Sequence, residues 1–116
     1  MHEMSLVGDV VAVALRYAAE NNAQRVCSVC LRIGDMRDVV DELLQSCFSY
    51  LAQDTIAQDA TLEVVKVPFK ARCCDCGLVF PAELRKPNSL ICPDCASNKL
   101  SIFQGTEFMI DSIEVR

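Results

Sequence analysis

Histidine is nearly missing from this chain: there is one in 116 residues, at position 2. A single imidazole beside the start leaves no evident acid–base pair, so an enzyme is not expected. Long apolar runs are missing too. Nothing approaches the ~18 consecutive apolar residues of a membrane span, and Glu3 and Asp9 stand where a secretory signal would be basic. We therefore expect no membrane partner and a cytoplasmic location. Basic residues are scarce, with 11 Lys and Arg against 16 Asp and Glu and a net charge of −5. No basic stripe interleaves with aromatics, which argues against a nucleic-acid partner. There is no low-complexity linker, and no internal repeat beyond paired cysteine motifs.

Cysteine, by contrast, is abundant, with eight in the chain. In a reducing cytosol paired cysteines favour metal over disulfide. At 52% hydrophobic and 23% charged, 116 residues suffice for one modest core. A second module needs its own staple. Charge divides the chain in the same sense: residues 1–65 sum to −6, 66–99 to +3 and 100–116 to −2.

The basic middle contains the staple. In "KARCCDCGLVFPAELRKPNSLICPDCASNKL", Cys73 and Cys76 form one CxxC, Cys92 and Cys95 another, and fifteen residues lie between them. Tight turns let two sulfurs three residues apart converge on one ion, and the intervening hairpin brings the second pair across to complete a tetrahedron. Gly77 supplies the positive φ that such a turn needs. Four thiolates leave no open position, so the zinc is expected to be structural rather than hydrolytic. They also reduce the local +3 to about +1 once the ion is counted. Cys74 is read as a spare thiol, because a CxC chelate through Cys76 shortens the turn and points the sulfurs apart.

The other CxxC, Cys27 and Cys30 in "RVCSVCLRIG", alternates like a strand, with Cys27, Val29, Leu31 and Ile33 on one face. Residues three apart on a strand point oppositely, so these two sulfurs do not share an ion. Cys47 belongs to the helical stripe Val40, Leu44, Cys47, Phe48 and Leu51. A first helix is marked by Leu6, Val7, Val10, Val11, Ala14, Leu15 and Ala18, with Ser5 as its candidate cap and Asn21-Asn22 as its stop. Asp38 is the candidate cap of the second helix, with Asp41 and Glu42 in its first turn. Strands are expected at about 25–33, 61–67 and 106–115, the last with a slip near Asp111-Ser112. The expected fold is α+β: two helices packed on a small three-stranded sheet, with an inserted four-cysteine zinc-ribbon domain. The domains are placed at 1–68 plus 105–116 and at 69–104.

"MHEMS" at the start, "VCLRIGDM", "DATLEVVKVPFKARCCDCG", "CPDC" and the final "GTEFMIDSIEVR" together resemble the HypA/HybF family of nickel-insertion chaperones for NiFe hydrogenase. The likeness covers essentially the whole chain, and an MHE start coupled to two CxxC pairs at this spacing is far more specific than either alone. The extra thiols Cys27, Cys30 and Cys74 depart from the pattern. The resemblance implies structural Zn(II) on Cys73, Cys76, Cys92 and Cys95, and transient Ni(II) cargo on Met1, His2 and Glu3. It also implies a HypB-type nickel GTPase and the hydrogenase large-subunit precursor as partners. The chemistry agrees, since Ni(II) accepts square-planar nitrogen ligands. The Met1 amine can anchor the ion, the amides of His2 and Glu3 can bind after losing protons, and the His2 ring closes the fourth corner. A zinc-ribbon nucleic-acid or transcription-associated module is the competing reading, opposed by the net acidity.

Overall fold

The computed structural model describes residues 3–116. In chain order it contains α1 (Glu3–Glu20), β1 (Val26–Gly34), α2 (Asp41–Leu51), β2 (Thr61–Val67), β3 (Lys70–Cys73), β4 (Val79–Pro81), a 3-10 turn (Pro87–Ser89), β5 (Leu100–Gln104) and β6 (Phe108–Val115). The strands form two three-stranded sheets, ordered β2-β1-β6 and β4-β3-β5. The fold is α+β, and it divides into two compact units. One runs from the first described residues to Arg32, with Asp38–Val65 and Met109–Arg116; the other comprises Ile33–Arg37 and Lys66–Phe108.

In the first unit α1 and α2 pack together. Helix α1 buries Val7, Val10, Val11, Ala14 and Ala18 at three- and four-residue spacing, the stripe that a period of 3.6 puts on one face. It stops where the asparagines stand. Asn22 takes φ +53, and the N–H groups of Asn22 and Ala23 donate to the carbonyls of Ala19 and Ala18. That is a Schellman-type ending, with asparagine in the left-handed position usually held by glycine. The start differs from expectation. The helix is already formed at Glu3, so Ser5 lies inside it and is not its cap. Apolar periodicity marks a helical face and leaves the first turn open to extension by residues such as Glu3 and Met4.

Asp38 is likewise not a cap. Helix α2 begins at Asp41, preceded by Val40 in an extended conformation with no side-chain cap bond. A capping oxygen must stand directly before the first helical residue to reach the free N–H groups, and Asp38 is two residues too early. Asp41 and Glu42 do occupy the first turn, where carboxylates suit the positive end of the helix dipole. Leu44 and Phe48 are buried, whereas Cys47 is only half-buried.

Strand β1 is central in its sheet, and Val29, Leu31 and Ile33 are fully buried. Main-chain bonds at either end, Arg116 N–H to Arg25 C=O (2.9 Å) and Gly34 N–H to Glu107 C=O (2.7 Å), set β6 antiparallel to it. Val26 N–H donates to the Ile56 carbonyl and Asp35 N–H to that of Val67, so partners advance in the same direction along β1 and β2. This is the parallel pairing expected of a strand–helix–strand crossover. In β6 the half-buried positions are Phe108 and Ile110, then Ile113 and Val115, so the alternation slips at Asp111-Ser112 as the apolar phase predicts.

The second unit is built on β3, which pairs antiparallel with β4 (Ala71 opposite Phe80) and with β5 (Ala71 opposite Ile102). Its small core is Phe69, Ala71, Cys73, Phe80, Ala82 and Cys92. The unit reaches beyond 69–104 because Ile33–Arg37 is bound into it. Met36 N–H donates to the Gly105 carbonyl (2.8 Å) and Arg37 Nε to that of Thr106 (2.7 Å). Gly34 and Gly105 allow this approach. A Cβ on Gly34 would overlap the Gly105 carbonyl, and Gly105 itself sits at φ +116 with Phe69 Cα 2.8 Å from where its Cβ would be. Since the obstacle is main chain, Gly34→Ala is expected to cost about 3 kcal/mol or more. Urea unfolding of the purified variant measures it, and a loss under about 1 kcal/mol would show that the strands can separate cheaply.

Candidate metal centre

Two short turns carry the four cysteines, and their main chains are bonded alike. In the first, Cys73 N–H donates to Leu78 C=O (2.8 Å) and Gly77 N–H to Cys73 C=O (2.9 Å). In the second, Cys92 N–H donates to Ser97 C=O (2.9 Å) and Ala96 N–H to Cys92 C=O (2.9 Å). Each turn therefore needs a left-handed residue just after its second cysteine. Gly77 supplies φ +80, as expected, but the equivalent residue in the second turn is Ala96 at φ +61. An L-residue with a Cβ pays roughly 1–2 kcal/mol for that conformation. Ala96→Gly is accordingly expected to stabilise the second unit by about 0.5–1 kcal/mol after allowing for the freer unfolded chain, and Gly77→Ala to destabilise it by a similar amount. Opposite shifts in the thermal midpoints of the two variants are the check; shifts of the same sign would mean the turns are not equivalent.

The turns bring all four sulfurs together. Every pair of Sγ atoms from Cys73, Cys76, Cys92 and Cys95 lies within 4.8 Å, with Cys73 to Cys95 and Cys76 to Cys92 at 3.5 Å. Zinc–sulfur bonds of about 2.3 Å place the corners of a tetrahedron roughly 3.8 Å apart, so this cluster could hold a four-coordinate metal ion. Cys73 and Cys92 are buried and Cys76 and Cys95 exposed, which puts the cluster at the surface of its unit. Ser97 Oγ of one turn donates to the Asp75 carboxylate of the other, tying the two across the cluster. Neither this link nor the strained Ala96 is visible in the CxxC spacing; a serine two residues beyond the second pair is the only signal.

Electrostatics explains why such a cluster wants a cation. The Cys73 thiol is pushed down to about 6, first by the Cys76 backbone N–H, with burial opposing and the Asp75 N–H and the Cys95 thiol assisting. Cys95 is pushed up to about 12: the Ser97 N–H lowers it, but the neighbouring sulfurs of Cys73, Cys92 and Cys76, together with burial, outweigh that. Cys76 moves up as well; the Leu78 N–H lowers it, and Cys92 leads the groups that raise it. The first proton leaves easily and later ones leave against accumulated negative charge. A divalent ion among the sulfurs reverses that repulsion.

Among the described residues this is the only group of three or more metal-capable side chains. Cys74 is exposed and outside it, its N–H bonded to the Lys99 carbonyl. Cys27 and Cys30 are half-buried on β1, also outside it. Glu3 opens α1 and is half-buried, while Met1 and His2 lie outside the described residues. No described helix is long and apolar enough to cross a membrane.

Fold and site together define a small α+β metal-binding protein with a surface four-cysteine centre. The family model described as "Hydrogenase/urease nickel incorporation, metallochaperone, hypA" matches residues 1–115. Similar proteins include the hydrogenase maturation factor HypA of Dehalococcoides mccartyi (strain CBDB1), 39% identical over 115 residues, covering 99% of this chain and 94% of that one. The HypA of Rhodopseudomonas palustris (strain BisA53) is 38% identical over 115 residues and 99% of both chains. The solution structure of the Ni metallochaperone HypA from Helicobacter pylori superposes with TM-score 0.68 at 28% identity, over 99% of this chain and 97% of that one. A second HypA solution structure gives TM-score 0.77 at 28% identity, over 100% and 97%. The chain belongs to the HypA family of nickel-incorporation metallochaperones for hydrogenase maturation, which are carriers rather than enzymes.

Proposed function

We propose that this protein binds Ni(II) through Met1, His2 and Glu3 and delivers it to the large subunit of a NiFe hydrogenase, working with a HypB-type nickel GTPase in the cytoplasm. The observation that carries this reading is a family match starting at residue 1, and so including the Met-His-Glu segment. Glu3 opens α1, and the first N–H groups of a helix have no intrahelical carbonyl to bond. An amide there is free to lose its proton to a metal. Anchored by the Met1 amine, the chelate runs through the amides of residues 2 and 3 to the imidazole, a four-nitrogen set that suits square-planar Ni(II). Few ligands, all sensitive to protons, give a site that can release its cargo. We assign Cys73, Cys76, Cys92 and Cys95 to structural Zn(II), whose role is to cross-link the two turns. The domain division that accompanies this reading gives nickel to 1–68 plus 105–116 and zinc to 69–104, although Ile33–Arg37 and residues 105–108 fold with the cysteine-bearing unit. A nucleic-acid ribbon module is not favoured beside a family match over the whole chain. The test is nickel titration of zinc-loaded, untagged protein beside His2→Ala, with geometry read from the visible absorption bands. One square-planar nickel in the native chain and none in the variant is the expected result; equal binding would remove His2 from the site.

A further inference from the structure

The two cysteine turns are joined by more than the metal they could hold. Ser97, which ends the second turn, uses every polar atom it has on the centre. Its N–H points at the Cys95 sulfur and its carbonyl accepts from the Cys92 N–H (2.9 Å), so it is fixed to its own turn. Its Oγ accepts from the Lys99 N–H (3.1 Å) and donates to the Asp75 carboxylate of the other turn. Asp75 is anchored in the same way, its N–H reaching the Cys73 sulfur. Two residues that each hold a thiolate through the main chain thus hold each other through their side chains.

The bridge is single. The turns correspond residue for residue from Cys73 to Leu78 and from Cys92 to Ser97, so the counterpart of the link from Ser97 to Asp75 would run from Leu78 to Asp94. Leucine has no donor to offer. Among the described residues, apart from the sulfurs themselves, this hydroxyl and this carboxylate therefore make the only side-chain hydrogen bond between the turns. A sulfur that detaches from a shared metal either rebinds or yields its place to a competing ligand. The bridge keeps a detached turn within reach, which raises the local concentration of its sulfur and favours rebinding. Because the acceptor is charged, the bond is stronger than a neutral one, and it fixes the direction from which the sulfurs approach.

We propose that Asp75 and Ser97 are positioning residues of the four-cysteine centre, and that the bond between them slows the loss of its metal. This role rests on the assignment of zinc to the cysteines, which the zinc content of the native chain tests on its own; the bridge is tested by rates. Zinc-loaded full-length protein is mixed with an excess of a metallochromic chelator, and zinc release is followed by colour. Asp75→Ala and Ser97→Ala are each expected to release zinc about fivefold faster or more. The double variant should be no faster than the quicker single one, because either change alone breaks the same bond. Ser97→Thr keeps the hydroxyl and should stay within about twofold of the native rate; Asp75→Asn keeps an accepting oxygen without the charge and should fall between the native chain and Asp75→Ala. Lys86→Ala, which breaks the exposed pair with Glu83 in the segment between the turns, should leave the rate unchanged. Zinc content and circular dichroism before mixing establish that each variant is loaded and folded. Effects that multiply in the double variant, a native rate in either alanine variant, or equal acceleration in Ser97→Thr and Ser97→Ala would each overturn the proposal. Should an alanine variant not load, a native rate in Asp75→Asn, or an acceleration in Ser97→Thr as large as that of Asp75→Asn, overturns it instead.

Discussion

Serine in place of Cys73, Cys76, Cys92 or Cys95 is expected to remove the zinc and unfold the unit that holds it. The same change at Cys27, Cys30 or Cys74 should leave one zinc per chain. The size of the effect follows from how little else holds that unit. Its core is six residues, two of which are cysteines of the cluster; the rest are two phenylalanines and two alanines. A fully buried phenylalanine contributes roughly 1.5–3 kcal/mol, whereas structural zinc in small modules contributes an apparent value of about 10–16 kcal/mol, so a zinc ion held by the four cysteines would decide the fold of this unit. Zinc analysis of the seven single variants, with amide spectra of β3, β4 and β5, distinguishes the groups. Zinc bound by Cys73→Ser but missing from Cys74→Ser would transfer the ligand role to the neighbouring thiol. The helices of the other unit draw their burial from Val7, Val10, Val11, Ala14, Leu44 and Phe48 and should survive in all seven.

Any residue placed before Met1 is expected to destroy the proposed square-planar nickel site as completely as His2→Ala. An extension converts the anchoring amine into a peptide nitrogen. The chelate then loses its first ring, and the amides of residues 2 and 3 no longer have a metal held beside them when they deprotonate. An equivalent extension after Arg116 should have no effect. Nickel binding should also weaken on acidification, because protons compete for the amine, the amides and the imidazole. Zinc content and thermal unfolding should be the same in the native, extended and His2→Ala proteins. A tight square-planar site in the N-terminally extended protein would exclude the amine and direct attention to Cys27, Cys30 and Cys74.

Features of this protein were legible in its sequence to the extent that they are local. The stripe Val7, Val10, Val11, Ala14 and Ala18, the strand at Thr61–Val67 and the slip at Asp111-Ser112 all follow from which residues share a face. The CxxC pairs were equally plain, because a metal ligand's spacing is set by the reach of a tight turn. Starts of helices were not: Ser5 and Asp38 have capping side chains, but whether a cap is used depends on where the chain enters the helix. Helix α2 carries a broad apolar arc, of which Leu44 and Phe48 are buried and Cys47 only half-buried. Sequence periodicity does not say which part of such an arc a neighbour covers.

The buried face of α1, the order of strands along the chain, the four sulfurs and the family were thus readable without coordinates, since each rests on residue type and short-range spacing. It took the folded molecule to show that Ile33–Arg37 joins the cysteine-bearing unit, that Gly34 and Gly105 meet, that Ala96 takes a glycine's conformation and that Ser97 reaches Asp75. Those are contacts between segments far apart in the chain, or conformations imposed by them. No local preference encodes such a contact, because it exists only once the closure of distant loops has been offset by the burial and hydrogen bonding that closure permits.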